Sequence, residues 1–435
     1  MDIIIAGAGR VGYRLAETLS LKHNVYIIDK NAEALSRLGE AIDIMPILGD
    51  IEDPDTYKAL QEKEFDIFIA VTDSDEANIL STLIAAESIE AQTKIIRLRN
   101  PFFAKSSIAQ KLEITQAVFP FVDTAKSIAA LLDYPKANNV KSLPFSDFKL
   151  ISLTLHEPLF DSYAQIESQQ VRVVGVERNK ELLFIDDAPK NGDLVYLFGQ
   201  SSAIKKLCQR IDAKNPPNIK RVAIFGAGLL GLEIAKIIKD RVALKLIEED
   251  PALCERAAET LQNSATIINS KYIEHKLFEE ENIKAADMTI ATYAQDEANI
   301  VKSLEAKEYG VQKRVAINND TQYYDLMHKL SIIPIRGPKS SAYYAIVEKI
   351  GSSAIIAQKH YCGGRGALFV RKIFEGSKLI ERTVKPPKVL GRYFIQRGDE
   401  IVTLHKNALL RQGDIIVAFT LSLYEEEIKR WIENL

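Results

Sequence analysis

Residues Asp2–Asp29 read DIIIAGAGRVGYRLAETLSLKHNVYIID, and this stretch determines the fold that the sequence predicts. A short continuous apolar run leads into Gly7-Ala8-Gly9-Arg10-Val11-Gly12, a helical pattern follows, and a second apolar run ends at Asp29. Continuous apolar runs of this length are typical of strands that are buried on both faces of a parallel sheet. The stretch therefore predicts a strand, a glycine turn that opens a helix, and a second parallel strand.

The glycines have the spacing GxGxxG, which alone is a weak signal and gains weight from the strand before it and the helix after it. In such a turn the first glycine permits the tight bend, the second lets a pyrophosphate approach the backbone, and the third packs helix on sheet. Asp29 stands 22 residues beyond Gly7. A carboxylate there accepts hydrogen bonds from ribose hydroxyls and repels a 2′-phosphate. The segment predicts a site for NAD(H) or an adenine nucleotide rather than NADP, and a glycine turn without a ligand is the alternative.

The whole pattern occurs twice. A second apolar run leads into Gly226-Ala227-Gly228-Leu229-Leu230-Gly231, and Glu248 stands 22 residues beyond Gly226. The segment IAVTDSDEANI at 69–79 recurs 221 residues later as IATYAQDEANI at 290–300, and NGDLVYLFG at 191–199 recurs at the same offset as QGDIIVAFT. The chain is therefore predicted to contain two copies of one unit, and the second glycine turn is a second candidate site.

Each copy has two lobes. In the first lobe apolar runs alternate with helical patterns, which predicts a doubly wound parallel α/β sheet of the Rossmann type. In the second lobe short strands are separated by turns and followed by a helix, which predicts a small α+β module. The predicted domains are residues 1–122 and 219–337 for the large lobes, 146–213 and 366–435 for the small lobes, 123–145 for crossover helices, 338–365 for a crossover helix and linker, and 214–218 for a proline-containing linker.

Further candidate site residues follow the predicted strands of the first copy. Thr72, Asp73 and Ser74 lie just past the fourth strand, where they are expected to line a cofactor. Ser74 or Asp75 is alternatively expected to cap the next helix, and the two roles are compatible. Asp50 follows the third strand and is expected near the adenine edge or in a simple turn. Arg10, inside the glycine turn, and Arg97 and Arg99, near the end of the fifth strand, carry guanidinium groups that suit phosphate oxygens.

The second copy lacks these charges. Leu229 replaces Arg10, and the sequence alignment of the two copies places Ile317 and Asn319 opposite Arg97 and Arg99. It also places Tyr293 opposite Thr72, and Asn269-Ser270 opposite Gly49-Asp50. The second site is therefore expected to hold a less charged ligand, to hold a ligand weakly, or to be empty.

Composition narrows the class of protein. The 435 residues are 47% hydrophobic and 26% charged with a formal net charge of −3, so no global positive field favours nucleic acid or an anionic membrane. Cys208, Cys254 and Cys362 are odd in number and scattered, which favours a reducing compartment over a disulfide framework. We expect no signal peptide and no membrane-spanning helix, so that any membrane role passes through a partner.

An NAD-dependent oxidoreductase is the main alternative to a binding protein. Such an enzyme needs an acid or base near the nicotinamide and usually a domain that closes over the substrate. The lobe after the first large one is only about 65 residues long. The six histidines are scattered, and no His/Asp or Lys/Asp pair recurs in both copies. The residues therefore favour a protein that is not an enzyme. We expect His360-Tyr361-Cys362 to lie in a loop rather than to bind a metal.

The motifs GAGRVG, VYIID, ILGD, AVTDSDEANI and IRLRNP, in this order and spacing, resemble the RCK N-terminal domain, also called the KTN or TrkA-N domain. The small lobe that ends in GDLVYLFG resembles the RCK C-terminal, or TrkA-C, domain. Two such pairs in one chain resemble the regulatory subunits of bacterial Trk-type potassium uptake systems. The resemblance covers essentially the whole chain.

The resemblance implies a cytoplasmic regulatory subunit that assembles as a homotetrameric ring on the inner face of the membrane. The ring would act on a potassium-translocating subunit of the TrkH or TrkG type and bind NAD(H) and ATP or ADP. Matching the motifs assigns nucleotide binding in the first copy to Gly7, Gly9, Arg10, Val11, Gly12, Asp29, Thr72, Asp73, Arg97 and Arg99. It assigns the second site to Gly226, Gly228, Gly231 and Glu248, and Ala8, Asp50, Leu229 and Leu230 complete the predicted set.

Overall fold

The computed structural model describes residues 1–112, 114–214, 218–271, 276–405 and 408–435. Most of the predicted linker at 214–218 therefore lies outside the described residues. The chain divides into two compact units, one formed by Met1–Ala125 with Arg336–Val347 and the other by Lys126–Ile335 with Glu348–Leu435. No helix among the described residues has the length and hydrophobicity needed to cross a lipid bilayer.

The first unit contains a six-stranded parallel sheet of order β3-β2-β1-β4-β5-β6. Its strands are β1 (Asp2–Ala6), β2 (Asn24–Asp29), β3 (Met45–Leu48), β4 (Glu64–Ala70), β5 (Glu90–Arg97) and β6 (Gln116–Val118). The helices of this region are α1 (Arg10–Leu19), α2 (Ala32–Ala41), α3 (Asp75–Ser88), α4 (Pro101–Lys105), α5 (Ile108–Lys111) and α6 (Pro120–Ala129). Because the strand order reverses between β1 and β4, a crevice forms at the carboxyl ends of these two strands, where ligands of such sheets bind.

Hydrophobic spacing explains why these segments form these elements. Ile3, Ile4 and Ile5 of β1 are fully buried, as expected for a central strand with a helix on each face. In α1 the side chains of Val11, Leu15 and Leu19 recur every four residues and are buried, so one face of the helix packs on the sheet.

The first small sheet is five-stranded and antiparallel, with the order β10-β9-β11-β8-β7. Its elements are β7 (Asn139–Ser142), β8 (Lys149–Thr154), β9 (Val171–Arg178), β10 (Glu181–Leu183), β11 (Leu194–Gly199) and the helix α7 (Ser201–Cys208). This sheet belongs to the second unit.

The second large sheet repeats the first, with the order β14-β13-β12-β15-β16-β17. Its strands are β12 (Arg221–Phe225), β13 (Ala243–Glu248), β14 (Thr266–Asn269), β15 (Met288–Ala291), β16 (Lys313–Asn318) and β17 (Ile333–Arg336). The helices that accompany it are α8 (Leu229–Ile238), α9 (Pro251–Leu261), α10 (Leu277–Glu280), α11 (Asp296–Glu308) and α12 (Tyr324–Lys329). The next helix, α13 (Pro338–Ile350), belongs to the first unit up to Val347.

The second small sheet has the order β18-β19-β22-β20-β21. Read from its other edge, the first small sheet has the order β7-β8-β11-β9-β10, so the two sheets correspond strand for strand. Its elements are β18 (Ile356–Tyr361), β19 (Gly366–Lys372), β20 (Gly391–Arg397), β21 (Glu400–Thr403), β22 (Ile415–Leu421) and the helix α14 (Glu425–Glu433). The two small sheets share one hydrophobic cluster, in which the rings of Phe198 and Phe419 are 5.3 Å apart. The predicted fold class, two tandem copies of a Rossmann lobe and a small α+β lobe, is confirmed.

Each small sheet contains a strand that precedes the predicted start of its lobe, namely β7 before residue 146 and β18 before residue 366. The expectation that His360 and Tyr361 lie in a loop is wrong, because both belong to β18. His360 is only 5% exposed, and its imidazole lies between the carboxylates of Glu348 and Glu425. The sequence does not predict this strand, because its buried residues include polar side chains that bind carboxylates from other elements.

Candidate functional sites at the two glycine turns

The first glycine turn joins β1 to α1. Gly7 has φ +109°, a backbone conformation that favours glycine, and its N–H donates to the carbonyl of Ile28 over 2.9 Å. A Cβ atom on Gly12 would lie 1.8 Å from the Gly7 oxygen, whereas one on Gly9 would meet no atom within 4 Å. The fold itself thus requires the first and third glycines, and the second leaves the backbone open to a ligand.

The second glycine turn, between β12 and α8, repeats this geometry. Gly226 has φ +101°, and a Cβ atom on Gly231 would lie 1.9 Å from the Gly226 oxygen. Around Gly228 the space is again open, with no atom within 4 Å of an added Cβ. Both turns therefore leave the backbone accessible at the position where a phosphate is predicted to approach.

The strand-end carboxylates lie against the two turns, and each binds backbone amides of the chain. One oxygen of Asp29 accepts from the N–H of Ala8 over 2.6 Å and the other accepts from Asn31 over 2.8 Å. Glu248 does the same, accepting from Ala227 over 2.6 Å and from the amides of Glu249 and Asp250. These carboxylates are thus positioned where a ribose is predicted, and they also hold the glycine turn to the end of the neighbouring strand.

Thr72 and Asp73 form a loop beyond β4 that a buried asparagine holds in place. The Asn78 side chain accepts from the N–H of Thr72 over 2.8 Å and donates to the carbonyls of Thr72 and Arg97 over 3.0 and 2.9 Å. Ser74 accepts from the N–H of Ala77, so the expected helix cap is also present. The loop therefore has a fixed shape at the carboxyl edge of the sheet.

Asn299 makes the same contacts in the second copy, to Tyr293 and to the carbonyl of Ile317. These bonds support the alignment that placed Tyr293 opposite Thr72 and Ile317 opposite Arg97. Sequence reasoning missed both asparagines as site residues. The signal that could have identified them is the four-residue segment DEAN, which is identical in the two copies.

Arg97 and Arg99 bind this loop. The Arg97 side chain is 3% exposed and donates to the Asp73 carboxylate over 3.0 Å and to the Thr72 carbonyl over 3.3 Å. Burial lowers the pKa of Arg97, and the nearby Asp73 carboxylate counteracts part of this effect. Arg99 donates to the carbonyl of Asp73 over 2.5 Å, and its guanidinium lies 5.6 Å from the ring centre of Phe121. Both arginines position the Thr72–Asp73 loop.

Arg10 and Asp50 complete the first candidate site. Arg10 is exposed and is the first residue of α1, so its guanidinium and the helix N-terminus lie at the same open turn. Asp50 accepts from the N–H of Glu52 over 3.1 Å and lies 3.4 Å from the Lys30 ammonium. That backbone hydrogen bond is the main reason that the pKa of Asp50 is lowered.

In the second copy Leu229 stands at the first position of α8 without a charge. The Asn269 amide donates to the carbonyls of Glu248 and Glu249, each over 3.1 Å. The described residues of the second copy thus place no arginine at the positions of Arg10, Arg97 and Arg99. No group of three or more His, Cys, Asp or Glu residues in the described chain could hold a metal ion.

Comparisons with known proteins agree with this geometry. A family model described as the TrkA-N domain matches residues 3–120 and 222–335, which cover the two six-stranded sheets except for single residues at their ends. Trk system potassium uptake protein TrkA homolog 2 of Methanosarcina mazei is 26% identical, over 97% of this chain and 98% of the relative. The TrkA homolog of Archaeoglobus fulgidus is 27% identical, over 96% of this chain and 97% of the relative.

Solved structures share the fold over the full length of the chain. The GsuK RCK domain superposes with a TM-score of 0.64 at 16% identity, covering 100% of this chain and 95% of that one. The GsuK channel bound to NAD superposes with a TM-score of 0.62 at 16% identity, covering 100% of this chain and 79% of the channel chain. Similarity at this level of identity shows a shared architecture.

Proposed function

The chain belongs to the TrkA-N domain family, and from this we propose that it is the nucleotide-binding regulatory subunit of a potassium uptake system. One observation carries the proposal: two glycine turns in the same chain are each open at the second glycine and each faced by a strand-end carboxylate. The relatives described above are named Trk system potassium uptake proteins and align over nearly their whole length, which supports the transport role.

We propose NAD(H) and ATP or ADP as the ligands. The open backbone at Gly9 and the N-terminus of α1 suit a phosphate chain, and Asp29 suits a ribose that carries no 2′-phosphate. A channel with the same architecture has been solved bound to NAD, which supports this assignment. The second turn lacks the arginines of the first, so it is proposed to bind nucleotide more weakly.

The proposed mechanism is a population shift rather than chemistry. A nucleotide changes an assembly only through its different affinities for two conformations. A triphosphate brings more negative charge to Arg10 than a diphosphate does, and Arg10 is exposed at the turn. In a homotetrameric ring below a TrkH- or TrkG-type subunit, at the cytoplasmic face of the membrane, that difference would be transmitted to the potassium pathway.

Thermal unfolding with NAD, NADH, ATP and ADP tests the proposal with two matched substitutions, Gly9→Ala and Gly228→Ala. Each added methyl group meets no protein atom within 4 Å, and the backbone angles of φ −66° and −59° suit alanine. The unliganded proteins should therefore unfold near the wild-type temperature. A ligand at about 100 times its Kd should add about 2.7 kcal/mol to the wild type. We expect Gly9→Ala to remove the larger part of that gain and Gly228→Ala a smaller part.

If no nucleotide shifts the wild-type midpoint, the proposal fails. The alternative function, an NAD-dependent oxidoreductase, is tested in the same samples by following NADH absorbance with a panel of small keto acids. Turnover that requires the intact Gly9 turn would replace the regulatory assignment with an enzymatic one.

A further inference from the structure

A cavity of about 470 Å³ in the second unit has a strongly basic lining. Residues of the first small lobe and of the second large lobe line it together. Five of its side chains are lysine or arginine, and they are Lys136, Lys214, Lys307, Lys313 and Arg314. Among the lining residues only Asp212 carries a carboxylate. The volume lies within the range of small-molecule sites.

Asp212 offsets this charge only in part, because its single carboxylate favours the charged form of Lys136 but faces five basic side chains. It is 2% exposed, and its two oxygens accept from the backbone amides of His156, Glu157 and Lys214 over 2.7, 3.1 and 2.9 Å. No carboxylate in the described chain lies within salt-bridge distance of the five cationic side chains. The cavity therefore has an excess of positive charge that the described residues leave uncompensated.

Backbone carbonyls hold several of these cations in place. Lys313 donates to the carbonyls of Pro135 and Ala137 over 2.7 and 2.6 Å, and Arg314 donates to that of Ser331 over 2.8 Å. The Nε atom of Arg314 and the Nε2 atom of His328 are buried with no hydrogen-bond partner among the described residues. Basic side chains that backbone carbonyls hold in place are suited to an anion with several acceptor oxygens.

Burial opposes the positive charges in this cavity. It lowers the pKa of Lys313 to about 7, and it also lowers the pKa values of Lys136 and Arg314. The pKa of His156 is lowered by burial and by the neighbouring Lys214 charge. A bound anion would favour the charged forms of all four groups.

The cavity is separate from the glycine turns. Lys313 and Arg314 are the first two residues of β16, whereas the Gly226 turn follows the carboxyl end of the parallel strand β12 in the same sheet. A six-residue strand is roughly 16 to 20 Å long. The basic cavity therefore lies at the amino edge of the second large sheet, opposite the edge at which nucleotides are proposed to bind.

We propose that this cavity is a second ligand site, which binds a compact anion with phosphate groups. A free phosphorylated metabolite and a phospholipid headgroup share this chemistry. The site is distinct from the nucleotide turns, so the proposal does not depend on their function.

The test uses the full chain carrying Gly9→Ala and Gly228→Ala, so that pyrophosphate binding at the glycine turns is weakened. Inorganic pyrophosphate is titrated calorimetrically at constant ionic strength into this protein and into a version with Lys214→Gln and Lys307→Gln. Both lysines are exposed, so the fold should tolerate the changes. Losing two charge-assisted contacts should weaken binding at least about tenfold. The matched control is Lys284→Gln with Lys378→Gln, two exposed lysines outside the cavity, which should bind like the parent.

A second arm separates the two sources of phosphate. Cosedimentation with phosphatidylglycerol vesicles, compared with phosphatidylcholine vesicles, measures binding to lipid headgroups in the same proteins. Lysine-dependent binding of pyrophosphate alone assigns a soluble ligand, and lysine-dependent binding of the anionic vesicles assigns a headgroup. The proposal is overturned if neither probe binds, or if the cavity variant and the control variant bind equally.

Discussion

Asp29 and Glu248 illustrate how one side chain can serve both the fold and a ligand. Each was predicted to face a ribose, and each also accepts two or more backbone hydrogen bonds that fix the glycine turn. An amide in place of the carboxylate offers one acceptor oxygen instead of two. Each carboxylate therefore has a structural role that requires no nucleotide, namely holding the glycine turn, in addition to its predicted role of binding a ribose.

We predict that Asp29→Asn lowers the free energy of unfolding by about 1 to 3 kcal/mol in the absence of nucleotide, because it leaves one backbone amide without its acceptor. Chemical denaturation monitored by circular dichroism measures the change. Asp43→Asn, at an exposed position, is the control and should have little effect. An unliganded Asp29→Asn protein as stable as the wild type would show that the carboxylate has no structural role.

His360 gives a prediction for pH. Burial disfavours its charge, but Glu348 and Glu425 outweigh burial and raise the pKa of His360 above its ordinary value. Burial also acts against the Glu348 charge, yet His360 and Lys359 hold the pKa of Glu348 at about 2. Because the folded pKa of His360 is the higher one, its contribution to stability is complete below about pH 6.5 and is lost as the pH rises through the folded value.

The expected result is that His360→Gln is less stable than the wild type at pH 6 and that the difference narrows at pH 8. Urea midpoints at the two pH values measure it, and His405→Gln, whose ring is at an exposed position, provides the comparison. A difference that stays constant or widens toward pH 8 would contradict the assigned direction.

At the scale of secondary-structure elements, an arginine–tyrosine cluster attaches α13 to α1 within the first unit. The Arg14 guanidinium carbon lies 4.1 Å from the ring centre of Tyr343, and Arg14 also donates to the Tyr344 hydroxyl over 3.3 Å. Thr18 and Tyr343 share a hydrogen bond of 2.9 Å between their hydroxyls. Since α1 begins at the glycine turn, the cluster connects the first candidate site directly to α13.

Replacing Arg14 with Gln should lower the free energy of unfolding by about 1 to 2 kcal/mol, because the half-buried cation–π contacts are lost. Arg37→Gln removes an exposed arginine from the neighbouring helix α2 and should change stability by less than about 0.5 kcal/mol. Thermal and urea unfolding of the two variants checks the difference. Equal effects would mean that the cluster contributes no more than a surface ion pair.

Strands that the sequence predicted are stabilised by continuous apolar burial, whereas the strands that were missed lack such a run. The strands β1, β2 and β12 were predictable because their apolar residues are continuous and buried from both faces. β18 was not, since Gln358 and His360 are buried there against the Glu425 carboxylate, a contact that no local pattern encodes. β7 is four residues long with one buried side chain, too little for a periodic signal.

For the whole molecule, the two copies share a fold but differ in charge. Both copies have the same strand order, an open glycine turn, a strand-end carboxylate and an asparagine that binds the loop after the fourth strand. The tandem architecture could be predicted because the sequence motifs of these features recur at a nearly constant offset. The basic cavity could not, because Lys136 and Lys313 are 177 residues apart and meet only through the packing of different lobes. Tertiary sites of this kind leave no spacing in the sequence.

We predict that Arg10→Gln reduces the ratio of the ATP affinity to the ADP affinity about tenfold, because the additional phosphate loses a charge-assisted contact. Isothermal titration of both nucleotides into the full-length assembly measures the ratio. Arg37→Gln serves again as the control and should preserve the wild-type ratio. If Arg10→Gln also preserves it, the discrimination between triphosphate and diphosphate resides elsewhere.

The open space at Gly228 has an evolutionary consequence. Gly226 and Gly231 would persist in any copy that keeps the fold, whether or not a nucleotide ever enters, because a methyl group at either position collides with the chain. Gly228 is under no such internal constraint, and Ser or Asp would cap α8 better. In a site that no longer binds a ligand, neutral substitution should therefore replace the middle glycine first. The presence of Gly228 in a turn without the arginines of the first copy is therefore what the proposed second nucleotide site predicts.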